Sequence, residues 1–361
     1  MKHVWYLILI VGAIACKDVT PEEVTVEEST PVESTEIFQI YMVTVDNLRL
    51  RVDQDKGSEV TDKLKESSLM YGAGDESLKQ ETITLRGKEW TQPYRHIWNK
   101  DKSIEGWSYG GGLLKIYQSG EAAPFTERFE TIPPSLSSID LKREDAPMRV
   151  IQVVDLFLSS DPQWNSALYL MARNYFKMIP SNYEVALPQD WDMADFMEIT
   201  KGTFNYDKYV FSKDLKRRGF NIASSEGMLY AEPNLSLLNN RFKNKVNPDI
   251  NKFLTIETMY SGKQILDDAT IVVQLENLVD VCVAYDSFQK KGSTLIDVNQ
   301  DVPYDMLMGL LQNGVDNDPV IDQDGKVSQR FSEAWNYAAE KYPDSRIGEM
   351  ARIWLAEKTQ S

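Results

Sequence analysis

Between Ile37 and Tyr117 short runs alternate apolar and polar residues between polar turns, and from Val150 onward apolar residues recur at spacings of three and four. A period of two belongs to strands with one buried face, and a period near 3.6 to helices with one buried stripe. One chain of 361 residues therefore carries two architectures in series, β first and α second. The first begins with FQIYMVTVDNLRLRV, a strand pattern, and the turn cluster DQDKGSEV follows. VTDKLKESSLMY predicts a second strand, two more flank Arg86-Gly87-Lys88, and GWSY with LLKIY closes the unit. Five short strands separated by turn signals predict a small β-barrel over residues 37–117.

The stretch IEGWSYGGGLLKI tests whether that unit binds phosphate. A phosphate loop places its glycines between a strand and a helix N-terminus, with Lys and Ser or Thr at fixed offsets. No Gly-Lys-Ser/Thr follows Gly112, and LLKIY is β-like. Gly106 and Gly110–Gly112 are expected to supply positive φ at tight turns instead.

These residues resemble a known family. LRLRVDQDKGSEVTDKL is similar to the opening of the bacterial Src-homology-3 (SH3) domain. Trp90 matches that family's central Trp, and Glu105-Gly106-Trp107 its late Gly-Trp, with Leu113 following. The resemblance covers about residues 39–117. It departs from the pattern at Arg49, where Asn is common, and in longer 78–85 and 95–103 segments. It implies an SH3-like β-barrel that binds a cell-wall peptide, glycan or protein. Trp90 and Trp107 are expected to pack in the barrel. Tyr94, Trp98 and Tyr109 fall in what read as longer polar connections, and are the candidate ligand-binding residues.

Residues 118–146 read as a linker, because Pro124, Pro133-Pro134 and the SLSS run interrupt regular structure. The rest, 147–361, predicts an irregular, mostly helical domain. Two helices are split at Ser160-Asp161-Pro162, with Asp161 as N-cap and Pro162 at the first helical position. Asn247-Pro248-Asp249 marks another start, with Gly262 as its stop, and FNIASSEGMLYAEPN suits a local hairpin. The last two helices resemble a tetratricopeptide-type pair at Ala334, Tyr337-Ala338, Ala339 and Tyr342-Pro343-Asp344-Ser345. No 34-residue period recurs upstream.

The N-terminus predicts an address. Met1-Lys2-His3 precedes an apolar run from Val4 to Ala15, the layout of a secretory signal peptide. Ala13-Ile14-Ala15-Cys16 resembles the lipobox of bacterial lipoproteins, although Leu is usual in place of Ala13. That resemblance implies lipidation at Cys16 and an outer-membrane anchor in a cell envelope, facing the periplasm or the surface. Residues 18–36 carry seven acids and no base, which predicts a self-repelling tether. The net charge of −16 disfavours nucleic acid, so the expected partners are a cell-wall component or an envelope protein, with membrane contact through the lipid alone.

Chemistry is sparse. His96 is the one histidine beyond the leader, and Cys282 the one cysteine beyond Cys16, set in the apolar helical run LVDVCVAYDSF. A Cys–His dyad needs both groups in hydrogen-bond reach, so a papain-like site is not expected, and a multi-histidine zinc site fails on count. Acid pairs such as Asp267-Asp268, or Glu226 beside Gly227, leave carboxylate glycoside chemistry as a remote alternative. Asp322-x-Asp324-Gly325 resembles part of a calcium loop, but the first and twelfth positions would be Val320 and Phe331, so no metal is expected. No cofactor or catalytic residue is assigned. The expected function is non-catalytic envelope binding, the alternative an assembly lipoprotein whose helical domain binds a partner.

Cys16→Ser is expected to move the protein out of the membrane fraction, as uncleaved or soluble material. Unchanged membrane association in cell fractionation would overturn the anchor.

Overall fold

The computed structural model describes residues 38–119, 125, 127–181, 183–185, 189–201, 203–225, 228–261, 264–267, 269–291, 293, 295–296, 304–321, 323 and 325–358. The leader, Cys16 and the acidic tether lie outside them, as do Pro124, Glu226, Gly227, Gly262, Asp268, Asp322 and Asp324.

The alternating region forms eight strands where five were expected: β1 Phe38–Val43, β2 Leu48–Arg51, β3 Val60–Leu64, β4 Leu69–Gly72, β5 Glu76–Leu85, β6 Lys88–Trp98, β7 Glu105–Tyr109 and β8 Leu113–Ser119. Val60–Tyr71 divides into two strands because Ser67 turns the chain with φ +70, a left-handed conformation that ends a strand. All neighbours are antiparallel, in the order β3-β2-β7-β6-β4-β1-β8, and β5 pairs with β6 outside that path. Arg86 and Gly87, at φ +50 and +77, join β5 to β6 as a tight two-residue hairpin of the I′ kind. Gly110–Gly112 form one 3-10 turn and none has positive φ, contrary to expectation. Their requirement is space: a Cβ on Gly110 would lie 2.7 Å from the Pro93 carbonyl oxygen. The loop is structural.

The expected linker is corrected. It contains α1, Glu127–Glu130, and α2, Ile132–Ser137, with prolines in the first turn of α2 where a missing N–H costs nothing. Phe129, Ile132 and Leu136 are buried in the same core as Ile40, Met42, Ile116 and Tyr117 of the sheet. One face of β1 and β8 thus packs on the helices, while Tyr41, Val43, Leu50, Tyr94 and Tyr109 form a second core that belongs to the sheet alone.

Beyond it come α3 (Ala146–Phe157) and α4 (Pro162–Met178), split where expected, with the Asp161 carboxylate accepting from Gln163 N at 2.8 Å. A small lobe follows, in which β9 (Tyr183–Val185), β10 (Phe220–Ser225) and β11 (Met228–Pro233) make a sheet beside α5 (Met193–Thr200) and α6 (Val210–Arg218). The β10–β11 hairpin matches the expected one, whereas α5, α6 and their aromatic core around Trp191 had no counterpart in the sequence reading. Among the described residues the further helices are α7 (Leu235–Phe242), α8 (Pro248–Tyr260), α9 (Leu275–Lys291), α10 (Tyr304–Asn313), α11 (Gln329–Lys341) and α12 (Arg346–Lys358). Asn247 caps α8, accepting from Ile250 N at 2.9 Å. Trp335 of α11 stacks on Trp354 of α12 at 5.7 Å. The architecture is an eight-stranded antiparallel sheet followed by a mostly helical region.

At the centre, α4 is buried over most of its circumference, from Trp164 to Phe176, as expected of an internal helix. Its Arg173, 4% exposed, donates through Nη2 to Glu257 Oε1 of α8 at 2.6 Å. Tyr169 Oη and Asn239 Nδ2 donate to Glu257 Oε2 at 2.8 and 3.2 Å. Removing one member of such a pair strands a buried charge. Arg173→Ala is therefore expected to cost about 3–5 kcal/mol, and near- and far-ultraviolet circular dichroism should report one transition. Two separate melts, sheet and helices, would show that the packing of β1 and β8 on the helices does not couple the two.

Candidate functional site

Candidate residues Tyr94 and Trp98 lie on β6, which runs unbroken through a segment expected to be a polar connection, and Tyr109 ends β7. The antiparallel register of β6 with β7 sets Tyr94 opposite Tyr109, His96 opposite Trp107, and Trp98 opposite Glu105. Directly opposed residues share a face, so these pairs form three successive rows.

The first row is closed. Tyr94 and Tyr109 are 1% and 4% exposed, so both are corrected from exposed candidates to core residues. The reason is β5, which folds across them. Tyr94 Oη donates to Glu81 Oε2 at 3.2 Å, and the single Tyr109 hydroxyl proton is shared between the Glu81 carbonyl, at 2.9 Å, and the Trp90 carbonyl. Their rings meet edge to face at 5.8 Å. Burial, with the Glu81 carboxylate beside it, pushes the Tyr94 hydroxyl up to about 12.

The next two rows are open. His96, Trp98 and Trp107 are half-buried, with ring centroids 6.1 Å apart for His96–Trp98 and 5.1 Å for His96–Trp107. Trp90 and Trp107, expected inside, are half-buried and pack against the sheet core from its margin. Glu105 Oε1 lies 3.6 Å from His96 Nε2, with 47% of its side chain exposed. On the other side of Trp98, Tyr71 of β4 pairs with it and is also half-buried. An aromatic ledge therefore crosses β4, β6 and β7.

The turn after Trp98 is tied down by its own polar groups. Asn99 N donates to the Ile104 carbonyl at 2.9 Å, and Ile104 N to Asn99 Oδ1 at 3.1 Å. Ser103 donates through N and Oγ to Asp101 Oδ1 at 3.1 and 2.7 Å. These bonds help lower the Asp101 pKa, the Ser103 hydroxyl most. Lys102, held at φ +57, places Nζ 5.0 Å from the Trp98 ring centroid. Beyond Lys100 an open groove of about 660 Å³ is lined by Glu127, Glu130, Thr131, Pro134, Ser135 and Ser138, with Lys100 paired to Glu130 at 2.5 Å. His96 and Glu105 are placed beside Trp98 by the β6–β7 register and Lys102 by the turn between those strands, none of which residue type alone signals.

Other reactive groups stand apart from the ledge. Cys282 is fully buried on α9, as its apolar run predicts, and burial pushes its thiol up to about 12, which leaves it protonated at neutral pH. Among the described residues no three His, Cys, Asp or Glu side chains gather as metal ligands, and no helix is long and apolar enough to cross a membrane. Comparison of the chain with family models, with curated proteins and with solved structures gives no match.

The contrast between rows is measurable in denaturant unfolding. Tyr94→Ala is expected to cost about 3–5 kcal/mol, the range for a large aromatic lost from a core, whereas Trp98→Ala should stay within about 1 kcal/mol of wild type. Equal losses would show that the two rows are not distinguished by burial.

Proposed function

We propose that this chain is a non-catalytic, lipid-anchored protein of a bacterial cell envelope. In this reading its N-terminal sheet is an SH3-like barrel that recognises a cell-wall peptide, glycan or protein. The observation that carries it is the partly exposed ledge of Trp98, His96 and Trp107, rimmed by Glu105 and Lys102. Aromatic surface left partly open and bordered by charges is the composition of a binding patch. A rigid strand pair supports it, so little ordering entropy is lost when a ligand docks. The envelope address rests on the lipobox resemblance at Cys16, and the barrel on the SH3 motifs from Leu48 to Leu113.

A second reading, in which the helical region holds a protein partner, has one observation of its own. Met193 and Met197, one turn apart on α5, are 74% and 49% exposed. Methionine surfaces adapt to varied partners.

The readings separate in a capture experiment with purified peptidoglycan and with solubilised envelope proteins. The full chain should be retained, and Trp98→Ala should weaken retention about five- to thirtyfold, as for a contact of about 1–2 kcal/mol. Unchanged retention with a normal melt would remove the ledge, and loss on Met193→Ser with Met197→Ser would move the site to α5.

A further inference from the structure

The ledge carries a cation that does not belong to it. Lys102 is exposed, and among the described residues no carboxylate pairs with its ammonium. Here Nζ sits over the Trp98 ring at 5.0 Å, the attraction of a cation for the negative face of an indole. The backbone is committed to that placement. Lys102 takes a left-handed φ of +57, unfavourable for a non-glycine residue, and its N–H is tied to the Asn99 carbonyl at 3.0 Å.

The surroundings of the ring select the same charge sign. Glu105 stands directly across the ladder from Trp98, its carboxylate half-exposed and 3.6 Å from His96 Nε2. Tyr71 adds a second ring on the other side of Trp98. Beyond Lys100, whose ammonium already holds Glu130, the groove brings Glu127 to the same border of the sheet. An aromatic face with carboxylates at its margin attracts an ammonium and repels an acid, and the charge of −16 extends that preference over the whole molecule.

We infer that the Trp98 face, with Glu105 beside it, is the seat of a primary ammonium group presented by an extended peptide, and that Lys102 is the chain's own occupant of that seat in the empty site. The inference rests on the ledge being the binding surface and names the chemistry it reads. A peptide is the occupant because Trp98, His96 and Trp107 form a partly exposed strip across adjacent strands, which suits a chain lying flat with one side chain anchored. The amine end displaces Lys102 Nζ from the indole, and the released lysine swings into solvent. No bond is made or broken.

The test uses the full chain and a short glycine–alanine peptide bearing one free lysine side chain, with its Nε-acetylated form as the uncharged control. Binding is followed by tryptophan emission and by calorimetry. Wild type should bind the free-amine peptide about 2- to 30-fold more tightly than the acetylated one, the span of a single cation–aromatic contact. Lys102→Ala should tighten binding severalfold by removing the internal competitor, and Glu105→Gln should weaken it. Trp98→Ala should abolish the distinction between the two peptides while melting as wild type does. Equal affinity for the two peptides, no binding of either, or weaker binding by Lys102→Ala would each overturn the assignment. If the ammonium assignment fails while Trp98→Ala still loses envelope ligand, the ledge survives and only its chemistry is wrong. If Trp98→Ala retains that ligand in full, the binding surface itself is misplaced.

Discussion

A guanidinium buried in the middle of α4 governs how the rest of the chain is arranged. Burial pushes the Glu257 carboxyl up, but the charge and hydrogen bonds of Arg173, with the Tyr169 hydroxyl, more than offset it, and its pKa is lowered. The pair is kept ionised by geometry rather than by solvent, so α4, α7 and α8 must meet at fixed positions for it to form. A buried pair of this kind adds little net stability over an apolar core. What it adds is intolerance of alternatives, because any packing that separates the partners leaves a charge without water.

The same helix faces the sheet on its other side. Trp164 packs edge to face on Phe129 at 5.1 Å, and Phe129 stacks on Phe125, which meets Tyr117 of β8. The Tyr175 hydroxyl of α4 hydrogen-bonds Ser67, the residue whose left-handed turn divides β3 from β4. The arginine that fixes α4 among the helices therefore fixes the sheet as well. Helices cover one end of the row that runs from Tyr117 through Ile40 to Tyr71 and Trp98, and they stop short of the other end. The aromatic ledge begins where that cover ends.

Features decided within a few residues were legible in the sequence. Asp161 and Asn247 cap their helices because a carboxylate or amide oxygen reaches N–H groups two or three positions on, whatever the tertiary structure. Arg86-Gly87 turns a hairpin for the same local reason. Features decided by a distant segment were misread. Tyr94 and Tyr109 look as exposed as Trp98 until β5 is laid over them, and nothing between residues 94 and 109 encodes that cover. Pro133-Pro134 reads as a break, yet it opens α2, since a helix tolerates proline in its first turn and nowhere else. The lobe around Trp191 was missed because its core is assembled from loop aromatics, Phe204 and Tyr209 among them, which follow no periodicity. Its polar centre, Asp195 receiving hydrogen bonds from Lys208 Nζ at 2.5 Å and Tyr209 Oη at 2.7 Å, is equally invisible to spacing.

The ledge also shows why position in a sheet matters more than residue type for a binding role. Five aromatics lie between Trp90 and Tyr109 on two strands, and their chemistry is similar. Tyr94 and Tyr109 spend their hydroxyls on backbone and carboxylate partners and their faces on each other, so neither has a surface left to offer. The pairing of β5 with β6 ends at Arg95, and beyond it Trp98 is partly exposed and within reach of Lys102. A lysine in that place is free to leave, because its hold is a cation–aromatic contact of about 0.5–2 kcal/mol rather than a buried ion pair. The turn that carries it, by contrast, is fastened at both ends by Asn99 and Ile104. Under the proposed reading the site is rigid in its backbone and labile in one side chain. That combination lets a ligand amine exchange for an internal one without reordering the strands beneath it.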